Sequence, residues 1–203
     1  MATRSVESVD HGRRGVDSAT RWREHAHRHP LRHRLAVVGP DAADVVRHAG
    51  GWLFDRAAAG WEVTVLVSDL DNVGALQILG ATVLELRPSL AHPKHDLWPT
   101  AVAVSVRSYL TEREVRAGVL DCLDNGLTEV AIWGEGLPDE LEARVGASCH
   151  RVSVAAQAFK SCALAAAGFP GEARSPIESF RSGALLPPSF RETMRDLVPP
   201  SGR

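Results

Sequence analysis

The sequence predicts an α/β protein with a three-layer Rossmann-like fold and a mostly parallel sheet of about five strands. Short apolar runs alternate with segments in which apolar residues recur at helical spacing. The strand–helix–strand order repeats, and such crossovers are right-handed and place helices on both faces of a parallel sheet. The central strands are therefore expected to be buried on both faces.

Five apolar runs, rich in valine, have the composition of buried strands. They lie at residues 35–38, 63–67, 82–86, 101–106 and 129–133. The long connection at 87–99 is expected to be a loop that crosses back over the sheet. This crossing predicts the strand order 3-2-1-4-5.

Helices are expected between the strands, and several start and stop signals mark them. The first is expected to end at Gly60, because glycine readily ends a helix. Asp71 and Ser153 are expected to cap two later helices. Thr111 and Glu114 have the spacing of a capping box, in which each side chain bonds the other residue's backbone.

Composition divides the chain into three segments. Residues 1–33 are rich in Arg and His and predict a flexible basic N-terminal arm. Residues 34–168 contain the alternating pattern of the α/β domain. Residues 169–203 are rich in proline and are expected to wrap the surface as a C-terminal extension.

Net charge, hydropathy and cysteine content limit the classes of protein that the sequence fits. The formal net charge of −2 gives no electrostatic reason to expect nucleic acid or an anionic membrane as a partner. No apolar run is long enough to span a bilayer, and no secretory signal is recognisable. The three cysteines form no C-x-x-C pair, which favours a reducing, cytoplasmic compartment. Cys122 and Cys162 are expected in helices as core residues.

Ligands of open parallel sheets bind at the carboxyl ends of the strands, beside the point where the strand order reverses. This rule places the candidate site in the turns after the first, second, fourth and fifth strands. The candidate ligand-binding residues there are Gly39, Asp41, Asp44, Ser68, Asp69, Ser105, Arg107, Gly134 and Glu135.

A dinucleotide is not expected at the first turn. The turn reads Gly39-Pro-Asp-Ala-Ala-Asp44 and lacks the G-x-G-x-x-G fingerprint. Pro40 removes a backbone donor, and Asp41 and Asp44 bring negative charge to the end of the helix that a phosphate would occupy. We predict no bound cofactor.

Two groups of residues have the side chains of metal ligands. Asp41, Asp44 and His48 share one side of the first helix and could hold a divalent ion, as could His92 and His95. The first three are better explained as the polar side of an amphipathic helix, and we predict no metal site.

No G-x-S-x-G nucleophile elbow is present. Lys160 is interpreted as a helix-surface lysine, with an anionic ligand as the alternative partner.

The stretch 35–67 resembles the opening of the PIG-L/LmbE family of zinc-dependent N-acetylglucosaminyl deacetylases. That family has a strand, then A-H-P-D-D-E, then a helix with paired glycines and G-x-x-V-x-V-V. Here the text reads Val38-Gly-Pro-Asp-Ala-Ala43, then Gly50-Gly51, then Gly60-Trp-Glu-Val-Thr-Val-Leu-Val67. The resemblance implies zinc ligands at positions 39 and 42, where this chain has Gly39 and Ala42. It leaves Asp41 as the only catalytic candidate, at the family's general-base position.

The functional prediction is a non-catalytic protein that binds a small ligand or a protein partner on a degenerate deacetylase-like scaffold. One alternative is a metal-dependent amide hydrolase with non-standard ligands, and another is a nucleotide-binding protein. A homodimer is a further expectation, because domains of this kind often pair.

Overall fold

The computed structural model describes residues 33–91, 99–126, 128–172, 175–183 and 197–198. All structural statements below concern these residues. The predicted N-terminal arm lies outside them except for His33, and so do His92 and His95.

One mixed sheet forms the centre of this part of the chain. Its eight strands lie in the order β3-β2-β1-β4-β5-β7-β6-β8. The strands are β1 (Arg34–Gly39), β2 (Glu62–Val67), β3 (Thr82–Glu85), β4 (Ala101–Ser105), β5 (Glu129–Trp133), β6 (Val145–Arg151), β7 (Ile177–Gly183) and β8 (Leu197–Val198).

Helices cover both faces of the sheet. They are α1 (Ala42–Ala58), α2 (Gly74–Ile78), α3 (Leu86–Ala91), α4 (Val106–Thr111), α5 (Arg113–Asn125), α6 (Asp139–Glu142) and α7 (Val154–Ala166). Buried residues of α1, α2 and α7 share one core with the sheet, and those of α3 to α6 share a second core on the other face. No helix in the described segments is long and apolar enough to cross a membrane.

The strands β1 to β5 form the parallel sheet that the sequence predicts. β1 pairs in parallel with β2 and with β4, and β3 and β5 extend this arrangement on either side. The predicted order 3-2-1-4-5 is therefore confirmed. Gly60 follows the last turn of α1 with φ +88°, a conformation that glycine adopts without strain, as predicted.

The prediction of a mostly parallel sheet of about five strands is wrong for the second half. β7 runs antiparallel to both β5 and β6, and β8 runs antiparallel to β6. Residues 177–183, predicted to wrap the surface, instead lie inside the sheet between β5 and β6. The α/β domain therefore continues beyond residue 168 to at least Gly183.

Three local predictions are also wrong. The capping box does not form, because the Thr111 hydroxyl donates to the carbonyl of Arg107 and the chain leaves helical geometry at Glu112. Asp71 does not cap α2, and its backbone N–H donates to the Asp69 carboxylate. The start of the expected 87–99 loop belongs to α3. Ser153, by contrast, caps α7 as predicted by accepting a hydrogen bond from the Ala156 N–H.

Candidate functional site

The chain reverses its direction across the sheet between β1 and β4. β1 leads into α1 on one face, whereas β4 leads into α4 on the opposite face. This is the switch point at which open α/β sheets bind ligands, between the carboxyl ends of the two strands. The predicted site residues lie in the turns that follow these strands and their neighbours.

Asp41 is the N-cap of α1. Its carboxylate accepts a hydrogen bond of 2.8 Å from the Asp44 N–H, and its own backbone is extended. The carbonyl of the preceding Pro40 accepts the N–H groups of Ser68 and Asp69 at the end of β2. The carboxylate that the resemblance implies as a general base therefore satisfies an otherwise unpaired donor at the positive end of the helix.

Asp44 is held by a buried indole. Trp133, the last residue of β5, is 2% exposed and donates its Nε1–H to Oδ2 of Asp44 at 3.0 Å. Nδ1 of His48 lies 3.4 Å from the other oxygen of the same carboxylate. The same indole reaches the end of β1, because its Cζ2 lies 3.7 Å from the position that a Cβ at Gly39 would occupy. Trp133 thus fills the side of the switch point that faces α1.

Two of the predicted residues lie where β4 passes directly into α4. Ser105 is the last residue of β4, and Arg107 lies in the first turn of α4. The Ser105 hydroxyl is 2% exposed and caps α4, accepting from the Ser108 N–H and donating to the Ser108 hydroxyl, each at 2.9 Å. Arg107 is exposed on α4. One predicted residue is therefore used inside the fold, and the other remains at the surface.

The remaining predicted residues lie in two exposed turns. Ser68 and Asp69 follow β2, and one oxygen of Asp69 accepts the Asp71 N–H at 2.8 Å. Gly134 follows β5 with φ +107°, and a Cβ there would also contact the side chain of Val106. Glu135 is exposed beside it. These turns offer polar atoms to solvent at the carboxyl edge of the sheet.

Comparison with known sequences finds no match, whereas comparison with solved structures identifies the fold. The chain matches no protein-family model, and no curated protein sequence is significantly similar to it. The A40926 pseudoaglycone deacetylase Dbv21 has a similar solved structure, with a TM-score of 0.50 at 18% identity over 68% of this chain and 81% of that chain. A deacetylase of teicoplanin biosynthesis, solved with teicoplanin, gives 0.53 at 12% identity over 73% and 97%.

A third solved structure broadens the comparison. GalB, the 4-carboxy-2-hydroxymuconate hydratase of Pseudomonas putida KT2440, gives a TM-score of 0.51 at 14% identity over 76% of this chain and 97% of that chain. The chain has the PIG-L/LmbE-like deacetylase fold. The resemblance seen in residues 35–67 is thus confirmed as a likeness of fold. A hydratase and deacetylases share this fold, so the fold alone does not specify a reaction.

The described residues do not fit the zinc site that the deacetylase fold implies. Gly39 offers no donor atom, and a Cβ built on it would lie only 2.3 Å from Cγ2 of Val45. Ala42 is apolar and buried. Among the residues that the structure describes, no three His, Cys, Asp or Glu side chains are grouped so that they could hold a metal ion.

A buried ion pair was missed by the sequence analysis. Lys160 is 4% exposed, so its interpretation as a helix-surface lysine is wrong. Its Nζ donates to Oε1 of Glu178 at 2.5 Å and to the carbonyl of Arg47 at 2.6 Å. The two oxygens of Glu178 accept the N–H groups of Gly51 and Trp52, each at 2.8 Å.

Lys160 and Glu178 form hydrogen bonds with backbone groups in the middle of α1. In an uninterrupted helix the Gly51 N–H donates to the carbonyl of Arg47, and here Glu178 accepts from the first while Lys160 donates to the second. A Cβ on Gly51 would lie 2.5 Å from the Val152 side chain and 3.1 Å from the Glu178 carboxylate. The glycine pair at 50–51 was the available signal, since glycine disfavours a helix interior unless close packing requires it.

A shallow cleft of about 190 Å³ lies beside this pair and has Arg47 and Glu172 on its wall. Nε of Arg47 contacts both oxygens of Glu172 at 3.0 Å. A second cleft of about 440 Å³ lies between α3 and the start of α5. Neither cleft is lined by Gly39 or Trp133.

Tyr109 joins the elements that follow β4 and β5. Its hydroxyl donates to Oε1 of Glu140 at 2.5 Å, and Arg116 donates to the other oxygen at 2.8 Å. Burial, followed by the hydrogen bond to Glu140, raises the pKa of Tyr109 to about 12. The Arg116 hydrogen bond holds the pKa of Glu140 below its usual range. These contacts tie α4, α5 and α6 together next to the switch point.

Proposed function

We propose that this chain is a non-catalytic protein that uses a deacetylase-like scaffold to bind a small ligand or a protein partner. One observation carries the proposal: the acids at the end of β1 are already engaged in the fold. Asp41 caps α1, and Asp44 accepts the indole N–H of Trp133. A general base needs a lone pair directed at a water or a substrate proton, and one oxygen of each of these carboxylates is already engaged by a hydrogen bond within the fold.

The surface at the carboxyl edge supports a binding role. Arg107 is exposed in the first turn of α4, and Glu135 is exposed in the turn after β5. A guanidinium and a carboxylate at one edge offer both donors and acceptors to a polar ligand. The free thiols of Cys122 and Cys162 agree with a cytoplasmic location, which we include in the proposal.

The proposal is tested first by metal content and hydrolysis. The full chain is used with its N-terminal histidines changed to glutamine, because they would bind zinc adventitiously; these are His11, His25, His27, His29 and His33. We expect well under one zinc per chain after dialysis, and no release of acetate from N-acetylglucosamine. One zinc per chain, with acetate release that Asp41→Asn removes, would overturn the proposal.

The binding role has its own test. Thermal unfolding of the full chain is followed with millimolar N-acetylglucosamine as the probe, because a ligand that binds only the folded state raises its stability. We expect a rise in Tm that is lost in Arg107→Ala and kept in the control Arg113→Ala, an exposed arginine at the start of α5. An equal rise in both variants would refute a site at the carboxyl edge.

A metal-dependent amide hydrolase is the second candidate. The observation in its favour is the position of His48 beside Asp44. Nδ1 of His48 lies 2.9 Å from the backbone carbonyl of Asp44 and 3.4 Å from its carboxylate, so the carboxylate and Nε2 of His48 could supply two ligands. Two of the structural neighbours, Dbv21 and the deacetylase of teicoplanin biosynthesis, are deacetylases, which agrees with this reaction class. If this candidate is right, the wild type binds zinc and releases acetate, and His48→Ala removes both. The non-catalytic proposal predicts that the wild type does neither.

A further inference from the structure

The cleft beside the buried ion pair combines charged and apolar walls. Its lining residues include two cations, two carboxylates and two aliphatic side chains, namely Arg47, Lys160, Glu172, Glu178, Leu164 and Ile177. The cleft has a volume of about 190 Å³. Pockets for drug-sized ligands have about 300–1,000 Å³, so a ligand that fits this cleft has only a few non-hydrogen atoms.

Lys160 has one donor more than the acceptors around it. An ammonium group has three N–H donors, and the described residues give Nζ two acceptors, the carbonyl of Arg47 and Oε1 of Glu178. Both acceptors belong to residues that line the cleft, so Nζ lies between two of its walls. An unpaired donor on a charged group that is only 4% exposed is costly, because little water reaches it. A ligand in the cleft could supply the missing acceptor.

Arg47 also presents donors that the fold does not use. Its Nε contacts both oxygens of Glu172 at 3.0 Å, and among the residues that the structure describes its two terminal nitrogens have no hydrogen-bond acceptor. These nitrogens form the end of a guanidinium that binds a carboxylate through two parallel hydrogen bonds. The guanidinium carbon also lies 3.8 Å from the centroid of the Phe169 ring. The contacts with Glu172 and Phe169 therefore fix the orientation of this group before any ligand binds.

The two carboxylates of the cleft are already paired within the fold. Glu178 accepts hydrogen bonds from Lys160 and from two backbone N–H groups of α1. Glu172 accepts from Nε of Arg47 through both of its oxygens. The unused groups of the charged walls are therefore donors on cations. A ligand matches them if it brings oxygen acceptors and a negative charge.

The apolar walls favour a ligand with an alkyl group over a bare inorganic anion. Leu164 of α7 and Ile177 of β7 line the cleft, and covering their apolar surface removes it from water. We propose that the cleft binds a short-chain aliphatic carboxylate, whose oxygens accept from the Arg47 guanidinium and the Lys160 ammonium while its alkyl group packs on the apolar walls. This site is separate from the turns proposed above to bind a ligand, because neither Arg107 nor Glu135 lines the cleft.

The ammonium group of Lys160 can report binding directly by nuclear magnetic resonance. The chain has two lysines, Lys94 and Lys160, so labelling with nitrogen-15 lysine gives few signals, and Lys94→Arg assigns them. The labelled full chain is titrated with butyrate as the probe. We expect a saturable shift of the Lys160 Nζ signal, because its third N–H gains an acceptor. The neutral butyramide, which has a similar shape without the charge, should bind more weakly by roughly 10-fold.

Three variants locate the site without removing Lys160, which the fold needs. Arg47→Gln removes the guanidinium but keeps the backbone carbonyl that Lys160 binds, and it should raise the Kd for butyrate by roughly 10-fold or more. Ile177→Asp adds a negative charge at a partly exposed lining residue, and it should also weaken binding. The control Arg113→Gln, at an exposed arginine on α5, should leave the Kd unchanged. Circular dichroism shows whether each variant is folded, and Ile177→Asp still tests the site if Arg47→Gln is not.

Three outcomes would overturn the proposal. A Lys160 signal that does not move with butyrate would show that the cleft binds no carboxylate. A shift that the folded variants Arg47→Gln and Ile177→Asp leave unchanged would place the binding elsewhere. Inorganic phosphate that binds as tightly as butyrate would show that the apolar walls do not select the ligand. None of these results depends on N-acetylglucosamine or Arg107, so this proposal and the proposed function can fail separately.

Discussion

Changing Lys160 to methionine tests the buried ion pair. The lysine and glutamate side chains are 5% and 2% exposed, so the substitution leaves the Glu178 carboxylate buried with two backbone donors but without its cation. It also removes the donor to the Arg47 carbonyl. Removing one partner of a buried pair costs about 3–5 kcal/mol. With m of about 2 kcal/mol/M in urea, this corresponds to a fall in the midpoint of about 2 M.

The measurement is equilibrium unfolding in urea followed by circular dichroism. Arg113→Met serves as the control, because it removes an exposed cation and should change the free energy of unfolding by less than about 0.5 kcal/mol. A loss below about 1 kcal/mol for Lys160→Met would refute the reasoning.

Three further predictions concern the switch point and its neighbours. Asp41→Ala removes the N-cap and should cost about 1 kcal/mol in urea unfolding, whereas Asp41→Ser should restore most of it; equal losses would show that the cap bond does not matter. Gly39→His forces a side chain against Val45 and should cost about 1–3 kcal/mol; an unchanged midpoint would show that the strand end has room for a ligand histidine. Tyr109 is the only tyrosine, so ultraviolet absorbance reports its ionisation directly. Because its pKa is raised from 10.0 to about 12 in the folded chain, its contribution to stability is complete below pH 10 and is lost as the pH approaches 12. A phenolate midpoint near 10 in protein that is still folded would contradict the buried hydroxyl and its bond to Glu140.

The parallel half of the fold could be predicted because its signals are local. Each strand from β1 to β5 is a short apolar run, and the helices between them carry periodic apolar residues. The order of the strands in the sheet could be predicted from one feature, the long connection before β4. The antiparallel half lacked such signals. β7 reads I-E-S-F-R-S-G, and one of its buried residues is Glu178, whose burial depends on Lys160, which lies 18 positions earlier in the chain.

The sequence placed the candidate residues at the carboxyl ends of the strands, where they lie in the structure, but it could not predict their contacts. The rule for open sheets located the turns after β1, β2, β4 and β5, and the sequence showed that the ligand positions 39 and 42 hold glycine and alanine. It could not show that Trp133 reaches across β4 to bond Asp44, because the two residues are 89 positions apart. Long-range side-chain pairs of this kind have no local sequence pattern.

We propose that the switch point is closed by its own residues, Trp133 and Asp44 among them, and binds no zinc. The most direct test is a crystal of the full chain soaked in zinc, with anomalous scattering recorded at the zinc absorption edge. We predict no anomalous peak near Asp41 and Asp44, with the Trp133 indole still bonded to Asp44. A peak coordinated by either carboxylate, with the indole displaced, would contradict it.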